Sequence, residues 1–350
     1  MSRPIRVVQY GLGSVGIETV RVLLQRASSG KVQVVGAIDT DAFKAHTDLA
    51  VLLGSTHKTG IIVSPDPEAV LREAHPDVVL LTTSSPLHEA VPLIQQCFRY
   101  GAHVITSIED LFYPFHRYPE ESSALDQLAQ SHNRVLIGTG VTPGFITDLL
   151  PLCTSALCQQ IHQIQIARII DATKRHSSLH QRIGMGLYPG DFEQLKRAGK
   201  LGFPALRDSL YFLADSIGWS LTQVIESINP IVAGQEVHTP NVSIHAGETA
   251  GLQQTTIGYI EDTPVLKLDL KIYAGALRAH DQILFKGVPE FQLTLKPAIP
   301  DDQSTAAMLV HMLPLVFKLA PGFRTYRDLT FPYAFALEPT PLPTPPRESV

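Results

Sequence analysis

Residues 5–16 read Ile-Arg-Val-Val-Gln-Tyr-Gly-Leu-Gly-Ser-Val-Gly, a short β-rich run that ends in G-x-G-x-x-G. Three glycines alone are a weak signal. Their place directly after a strand and at the opening of a helix is what constrains the fold. Gly11 suits the tight turn, Gly13 lets backbone approach a pyrophosphate, and Gly16 permits close packing of helix on strand. Leu12, Ser14 and Val15 complete a loop whose free N–H groups, aligned with the helix dipole, would hold phosphates. The segment from Gly11 to Gly16 is therefore read as a dinucleotide-binding loop.

Beyond this loop the chain alternates between helix and strand signals. Ile17 to Arg26 has helical spacing, and Val32 to Ile38 is a second apolar run that ends at Asp39. Val78 to Leu81 is a third run, closed by Thr82-Thr83-Ser84-Ser85-Pro86. His88 to Tyr100 reads as a helix stopped by Gly101, and His103–Thr106 and Arg134–Ile137 read as two further strands. Continuous apolar strands alternating with helices predict a parallel sheet covered on both faces.

The pattern changes after Gly144. Ile161 to Ile170 alternates as a strand with one wetter face does. Leu206–Ile217 and Ser220–Ile228 read as helices, and Ser243–Ala246, Leu252–Tyr259, Val265–Tyr273 and Phe291–Leu295 as antiparallel strands. A late helix is expected from Ser304 to Leu319. The stretch 338–350 holds five prolines and little to pack, which predicts a loose tail. The expected architecture is α/β. A Rossmann-type doubly wound parallel sheet over residues 1–145, rejoined by the segment 304–335, precedes an α+β second domain over 146–303 with a mainly antiparallel or mixed sheet.

Asp39 lies 23 residues after Gly16, where an acid hydrogen-bonds a ribose 2′-hydroxyl and repels a 2′-phosphate. It tilts the choice of cofactor towards NAD. Asp41 adds to the tilt, while Lys44 could soften it by offering a cation, so NADP stays open. Thr82, Thr83 and Ser84 end a strand at the carboxyl edge of the sheet, where small polar residues line the cofactor crevice; an ordinary turn is the alternative. Thr139 and Gly140 end the last strand of the first domain and are placed facing the nicotinamide.

Composition narrows the rest. With 44% apolar and 17% charged residues the chain is globular, and a net charge of −5 without long like-charge runs argues against nucleic-acid binding. Its three cysteines form neither a disulfide framework nor a metal-ligand pattern. His176 and His180 have the i, i+4 spacing of a helical zinc site but lack the glutamate of H-E-x-x-H, and no metal is expected. No signal-peptide core and no membrane-spanning run of roughly 18 apolar residues is found, which points to a cytoplasmic protein.

Two further segments carry a resemblance. Residues 104–114 read V-I-T-S-I-E-D-L-F-Y-P and residues 137–150 read I-G-T-G-V-T-P-G-F-I-T-D-L-L. With the glycine loop, they resemble the 2,4-diaminopentanoate dehydrogenase family and its relatives, the native amine dehydrogenases. The chain lacks the His-His-Lys run and the Pro-Ser-Gly-Thr-Ala loop of dihydrodipicolinate reductase, so a lysine-biosynthesis reductase is disfavoured. The resemblance implies oxidative deamination of an amine, or reductive amination of a ketone or aldehyde with ammonia. It also implies a homodimer, and it makes Glu109, in the S-x-E segment, the catalytic residue.

The chemistry suits a carboxylate. It can bind ammonium, accept its proton and stabilise a cationic iminium. The residues alone leave another reading open, in which Ser107 caps a helix and Glu109 and Asp110 face its dipole. Phe145 is the candidate apolar wall, with hinge packing as the alternative, and Tyr113 is a candidate contact or a packed aromatic. The stretch containing Thr173 and His176 contributes to the substrate pocket if the resemblance holds. Phe, Thr, Ile and Met side chains would suit a small alkyl ketone better than a charged diamine. Two other readings remain open: a homoserine- or semialdehyde-type dehydrogenase, and a non-catalytic NAD(P) sensor.

Overall fold

The structure is a computed structural model that describes residues 3–83, 86–240 and 242–331. Ser84 and the 338–350 tail lie outside the described residues. The chain divides into two units. One is built from Met1–Phe145 together with Pro300–Thr330, and the other is built around Ile146–Ile299.

In chain order the first unit runs β1 (Ile5–Tyr10), α1 (Ser14–Ala27), β2 (Val32–Ile38), α2 (Leu49–Leu53), β3 (Val63–Ser64), α3 (Pro67–Ala74), β4 (Val78–Leu81), α4 (Leu87–Arg99), β5 (His103–Thr106), α5 (Pro119–Ser131) and β6 (Val135–Gly138). The second unit holds α6 (Leu150–Ser155), β7 (Gln160–Asp171), α7 (Ser177–Arg182), α8 (Pro189–Arg197), α9 (Leu206–Ile217), β8 (Gln223–Val232), β9 (Val237–His238), β10 (Ser243–Ile244), β11 (Thr249–Ile260), β12 (Thr263–Tyr273), β13 (His280–Val288) and β14 (Phe291–Leu295). The chain then returns to the first unit with α10 (Asp301–Val316) and β15 (Gly322–Arg324).

The first unit is a seven-stranded, all-parallel sheet in the order β15-β6-β5-β4-β1-β2-β3. Its central strands are buried on both sides: Val78, Val79, Leu80 and Leu81 are 0% exposed, which is why they read as an unbroken apolar run. The chain leaves β1 towards β2 on one side and comes back to β4 on the other. A crevice at the carboxyl ends of β1 and β4 follows from that reversal, and open α/β sheets bind ligands there. The late helix starts at Asp301, three residues before the expected Ser304, because Asp301 and Asp302 fill its first turn, where acids complement the helix dipole.

The second unit is a six-stranded mixed sheet in the order β14-β13-β7-β12-β11-β8, with β7 and β12 parallel and the other pairs antiparallel. The helices α6, α8 and α9 pack against it. The alternation read in β7 holds from Ile164 onward, with an unexpected occupant, while Ile161 and Gln163 on the other face are buried too. Arg168 sits with Ile164, Ile166 and Ile170 among the buried positions, while Gln165, Ala167 and Ile169 are half-buried.

One expectation fails. Ser220–Ile228 is not a helix; most of it belongs to β8. Leu221, Val224, Ile225 and Ile228 fall at i, i+3, i+4 and i+7 and imitate an amphipathic helix, but pairing with β11 along residues 223–232 decides the outcome. β8 is an edge strand, which is why it can hold Pro230.

Candidate active site

The glycine loop sits at the β1 end of the crevice. Gly11 has φ +92°, and a Cβ added there would lie 2.9 Å from the Thr82 carbonyl carbon, so the loops after β1 and β4 touch. A Cβ on Gly16 would fall 2.0 Å from Gly11 O, which only a glycine permits. Gly13 is the N-cap of α1. It supplies no side chain, and no acid occupies the first turn that contains Ser14, Val15 and Gly16. The first N–H groups of α1 are therefore not neutralised by any side chain of its own first turn. A Cβ on Gly13 would meet nothing within 4 Å. On the neighbouring loop, the buried Oγ1 of Thr83 has no hydrogen-bond partner among the described residues. An uncapped helix start, room above Gly13 and an unmatched hydroxyl are what a diphosphate would use, so these residues fit a dinucleotide.

Gln9 and Thr82 brace the loop from behind. Gln9 is 0% exposed; its Nε2 donates to Gly11 O at 2.8 Å and to Thr82 Oγ1 at 2.7 Å, and Thr82 Oγ1 donates to Gly11 O at 2.8 Å. Asp39 ties β2 to the same loop. The N–H of Leu12 donates to its Oδ2 at 2.7 Å, and the N–H of Asp41 donates to its Oδ1 at 2.9 Å. Lys44 Nζ lies 3.1 Å from Asp39 Oδ2 and 3.4 Å from Asp41 Oδ2. The N–H of Phe43 holds the Asp41 carboxyl below the usual carboxylate range.

Glu109 opens a single 3-10 turn, Glu109–Leu111, just beyond β5. The helix-start reading is only half right. The residue before the turn is Ile108, and no side chain caps it. Thr106, not Ser107, organises the approach: its Oγ1 donates to Leu81 O at 2.8 Å and accepts from the N–H of Ile108 at 3.0 Å. Asp110 accepts from Arg117 at 2.9 Å and from the N–H of Leu87, at the start of α4, at 3.3 Å. Glu109 is half-buried. Its turn lies flat against β6, where a Cβ on Gly138 would come within 2.2 Å of Leu111 O.

The end of β6 adjoins that turn. Thr139 is 4% exposed, and its N–H bonds Thr106 O at 2.8 Å. Its hydroxyl shares a 2.5 Å hydrogen bond with Tyr326. Gly140 O accepts from the N–H of Phe145 at 2.9 Å, closing the 140–145 turn, and Phe145 is half-buried. Tyr113 is a packed aromatic at 2% exposure, and its hydroxyl accepts from Arg327 at 2.8 Å.

In the second unit, Thr173 and His176 flank one loop. Thr173 Oγ1 donates to Asp171 Oδ1 at 2.6 Å and accepts from the N–H of Gly275 at 2.9 Å. His176 is the N-cap of α7; its Nδ1 accepts from the N–H of Leu179 at 3.3 Å. His180 Nε2 donates to Ala172 O at 2.8 Å. These three side chains hold the loop in shape. Among the described residues no cluster of three or more His, Cys, Asp or Glu side chains could hold a metal ion, and no helix is long and apolar enough to cross a membrane.

Sequence reasoning brought together Gly11–Gly16, Asp39, Thr82, Thr83, Glu109, Thr139 and Gly140, all of which belong to the carboxyl edge of one sheet. It missed Gln9, Thr106, the Asp110–Arg117 pair, Tyr326 and Arg327. Gln9 had a readable signal, a polar residue inside the apolar run Val7–Tyr10. Tyr326 and Arg327 had none, since only the pairing of β15 with β6 brings them there.

A doubly wound parallel sheet with a glycine loop and an acid at its switch point, joined to a mixed-sheet unit, defines a two-domain dehydrogenase. The family model for the 2,4-diaminopentanoate dehydrogenase C-terminal domain matches residues 145–340, and the chain belongs to this oxidoreductase family. It is 28% identical over 336 residues to a 2,4-diaminopentanoate dehydrogenase of Acetoanaerobium sticklandii, covering 94% of each chain. It is 24% identical to an amine dehydrogenase of Streptomyces virginiae over 76% of this chain and 74% of that protein. The solved amine dehydrogenase from Mycobacterium smegmatis shares the fold with a TM-score of 0.82 at 24% identity, covering 93% of this chain and 96% of its own.

Proposed function

We propose that this oxidoreductase interconverts an amine with the corresponding ketone or aldehyde and ammonia, with Glu109 as the catalytic carboxylate. The observation that carries the reading is position. Glu109 is a half-buried carboxylate that opens the turn directly beyond β5, at the carboxyl edge of the sheet that also carries the glycine loop. The names of the relatives, amine dehydrogenase and 2,4-diaminopentanoate dehydrogenase, support the same chemistry.

The cofactor is a nicotinamide dinucleotide, and Asp39 favours NAD. When bound, it gives or accepts a hydride at nicotinamide C4. Every other task falls to the chain. The N–H groups from Leu12 to Gly16 and the start of α1 hold the pyrophosphate. Asp39 accepts from the adenosine ribose, Thr82 and Thr83 line the crevice, and Thr139 and Gly140 bound the nicotinamide end. In the aminating direction, a carboxylate oxygen of Glu109 takes a proton from ammonium, which frees the nitrogen lone pair to attack the carbonyl carbon. Glu109 returns that proton to the hydroxyl of the resulting carbinolamine, which leaves as water, and the regenerated carboxylate stabilises the cationic C=N carbon that receives hydride. In the deaminating direction Glu109 takes the proton of the attacking water.

Phe145 supplies an apolar wall, and a small alkyl substrate suits it. In the second unit Thr173 and His176 serve the substrate by fixing the loop they brace. The chain works in the cytoplasm as a homodimer.

The test is Glu109→Gln, assayed by dinucleotide absorbance at alkaline pH with alkyl amines, 2,4-diaminopentanoate and amino acids, and in reverse with ketone plus ammonia. Turnover is expected to fall below about a tenth of wild type, since general acid–base catalysis contributes about a hundredfold or more. Higher retention in a folded variant would refute the role. Dinucleotide oxidation by ketone without ammonia would refute the amine chemistry.

A further inference from the structure

We infer that Thr305, on α10, is a cofactor-orienting residue whose hydroxyl binds the carboxamide of the nicotinamide ring. The inference rests on the proposal that the sheet edge holds a nicotinamide dinucleotide. It deepens that reading by naming a residue, far along the chain from the glycine loop, that meets the reactive end of the cofactor.

The buried face of α10 is apolar except at one position. Ala306, Leu309, Val310 and Leu313 are typical of it, and Thr305, 8% exposed, is the polar exception. A buried helical hydroxyl ordinarily returns to a carbonyl of the preceding turn. Thr19 does so in α1, to Val15 O at 2.7 Å. Ser122 in α5 and Ser216 in α9 do the same, to Tyr118 O and Phe212 O, each at 2.6 Å. Thr305 does not, and its hydroxyl has no hydrogen-bond partner among the described residues. An unmatched buried hydroxyl costs about 1–3 kcal/mol, and a valine of the same shape would avoid that cost.

The unmatched hydroxyl stands beside the end of β6. A Cβ built on Gly140 would lie 3.7 Å from Thr305 Oγ1 and 3.8 Å from its Cγ2, so this side chain rests against the turn that bounds the nicotinamide end. The neighbouring hydroxyl, on Thr139, is engaged by Tyr326 at 2.5 Å. Thr305 therefore brings an unengaged hydroxyl to this part of the sheet edge. A threonine hydroxyl both donates and accepts, and a carboxamide offers an acceptor oxygen and a donor nitrogen. The two match whichever way the amide lies. A bond at the carboxamide limits rotation of the ring about its glycosidic bond, and so fixes which face of C4 is turned to the substrate.

The experiment compares binding of NADH with binding of ADP-ribose, which lacks the nicotinamide. NADH is titrated into the full chain by its own fluorescence, and ADP-ribose is measured by displacement of NADH; neither needs turnover. Thr305→Val should weaken NADH by about three- to tenfold, the scale of one net hydrogen bond, and change ADP-ribose by less than about twofold. Thr305→Ser keeps the hydroxyl and should hold NADH within about twofold of wild type. ADP-ribose binding also reports that the glycine loop is intact in each variant. Equal weakening of both ligands would make Thr305 a packing residue and overturn the inference. No change in either ligand, or a serine variant as weak as the valine one, would overturn it too. Binding of neither ligand by wild type would overturn the dinucleotide reading itself, and this inference with it.

Discussion

Replacing Arg168 tests how the second unit is held together. The guanidinium is 0% exposed and pairs with Asp281, 1% exposed, at 2.6 Å. Both partners also grip the segment after β14: Arg168 donates to Ile299 O at 2.9 Å, and the N–H of Ile299 donates to Asp281 Oδ2 at 2.8 Å. Arg168→Met keeps the length and apolar stem of the side chain but strands a buried carboxylate. Breaking one side of such a pair costs about 3–5 kcal/mol. With a urea slope near ~2 kcal/mol/M, the midpoint should fall by about 2 M. Trp219 is the chain's single tryptophan, lies in the same unit and is 2% exposed, so its emission reports this unit selectively. Adding Asp281→Leu removes the stranded charge. Ile299 is only half-buried, so water can serve its peptide groups. The double variant should therefore be no less stable than Arg168→Met alone. A midpoint shift under about 0.5 M for the single variant, or additive losses in the double, would refute the account.

Gly16→Ala should abolish measurable dinucleotide binding, because its Cβ would fall 2.0 Å from Gly11 O and force α1 away from the loop; titration with NADH at wild-type affinity would contradict this. His103 offers a pH test. Burial, with Arg134 nearby, depresses its pKa from 6.5 to about 4, and its Nδ1 accepts from the N–H of Val135 at 3.0 Å. The unfolded chain takes up this proton first as pH falls, so His103 lowers stability progressively from about pH 6.5 to about 4 and adds no further loss below that. His103→Gln should flatten the fall in melting temperature over that window relative to wild type; an identical profile would refute the assignment.

How much of the fold and site was legible depends on how local the cause was. The parallel sheet could be read because each of its central strands is buried on both faces and shows as an apolar run. The turn of the glycine loop could be read because its close packing depends on short spacings. β8 misled because Leu221, Val224, Ile225 and Ile228 satisfy a helix as well as a half-exposed strand, and only its partner β11 separates the two. The burial of Arg168 could not be read because nothing near it in sequence announces Asp281, which pairs with it from β13. The substrate-side residues were legible only as types. Thr173 and His176 have the right chemistry to meet a ligand, yet their hydrogen bonds to Asp171, Gly275 and Leu179 serve the loop.

The residues the sequence hid have a shared logic. Gln9, Thr106 and Tyr326 are buried polar side chains at the carboxyl ends of β1 and β5 or in the segment just after β15. Each bonds a loop rather than its own strand: Gln9 the glycine turn, Thr106 the approach to Glu109, Tyr326 the end of β6. Buried polar groups are costly unless matched, and apolar side chains would fill the same space more cheaply. What they add is position. Loops set by such bonds keep the glycine loop and the Glu109 turn in fixed relation to one sheet edge, which hydrophobic packing alone does not ensure and which the proposed hydride chemistry would require. The return of the chain through α10 and β15 then braces the candidate site as well as the fold, since it delivers Tyr326 to Thr139 and Arg327 to Tyr113.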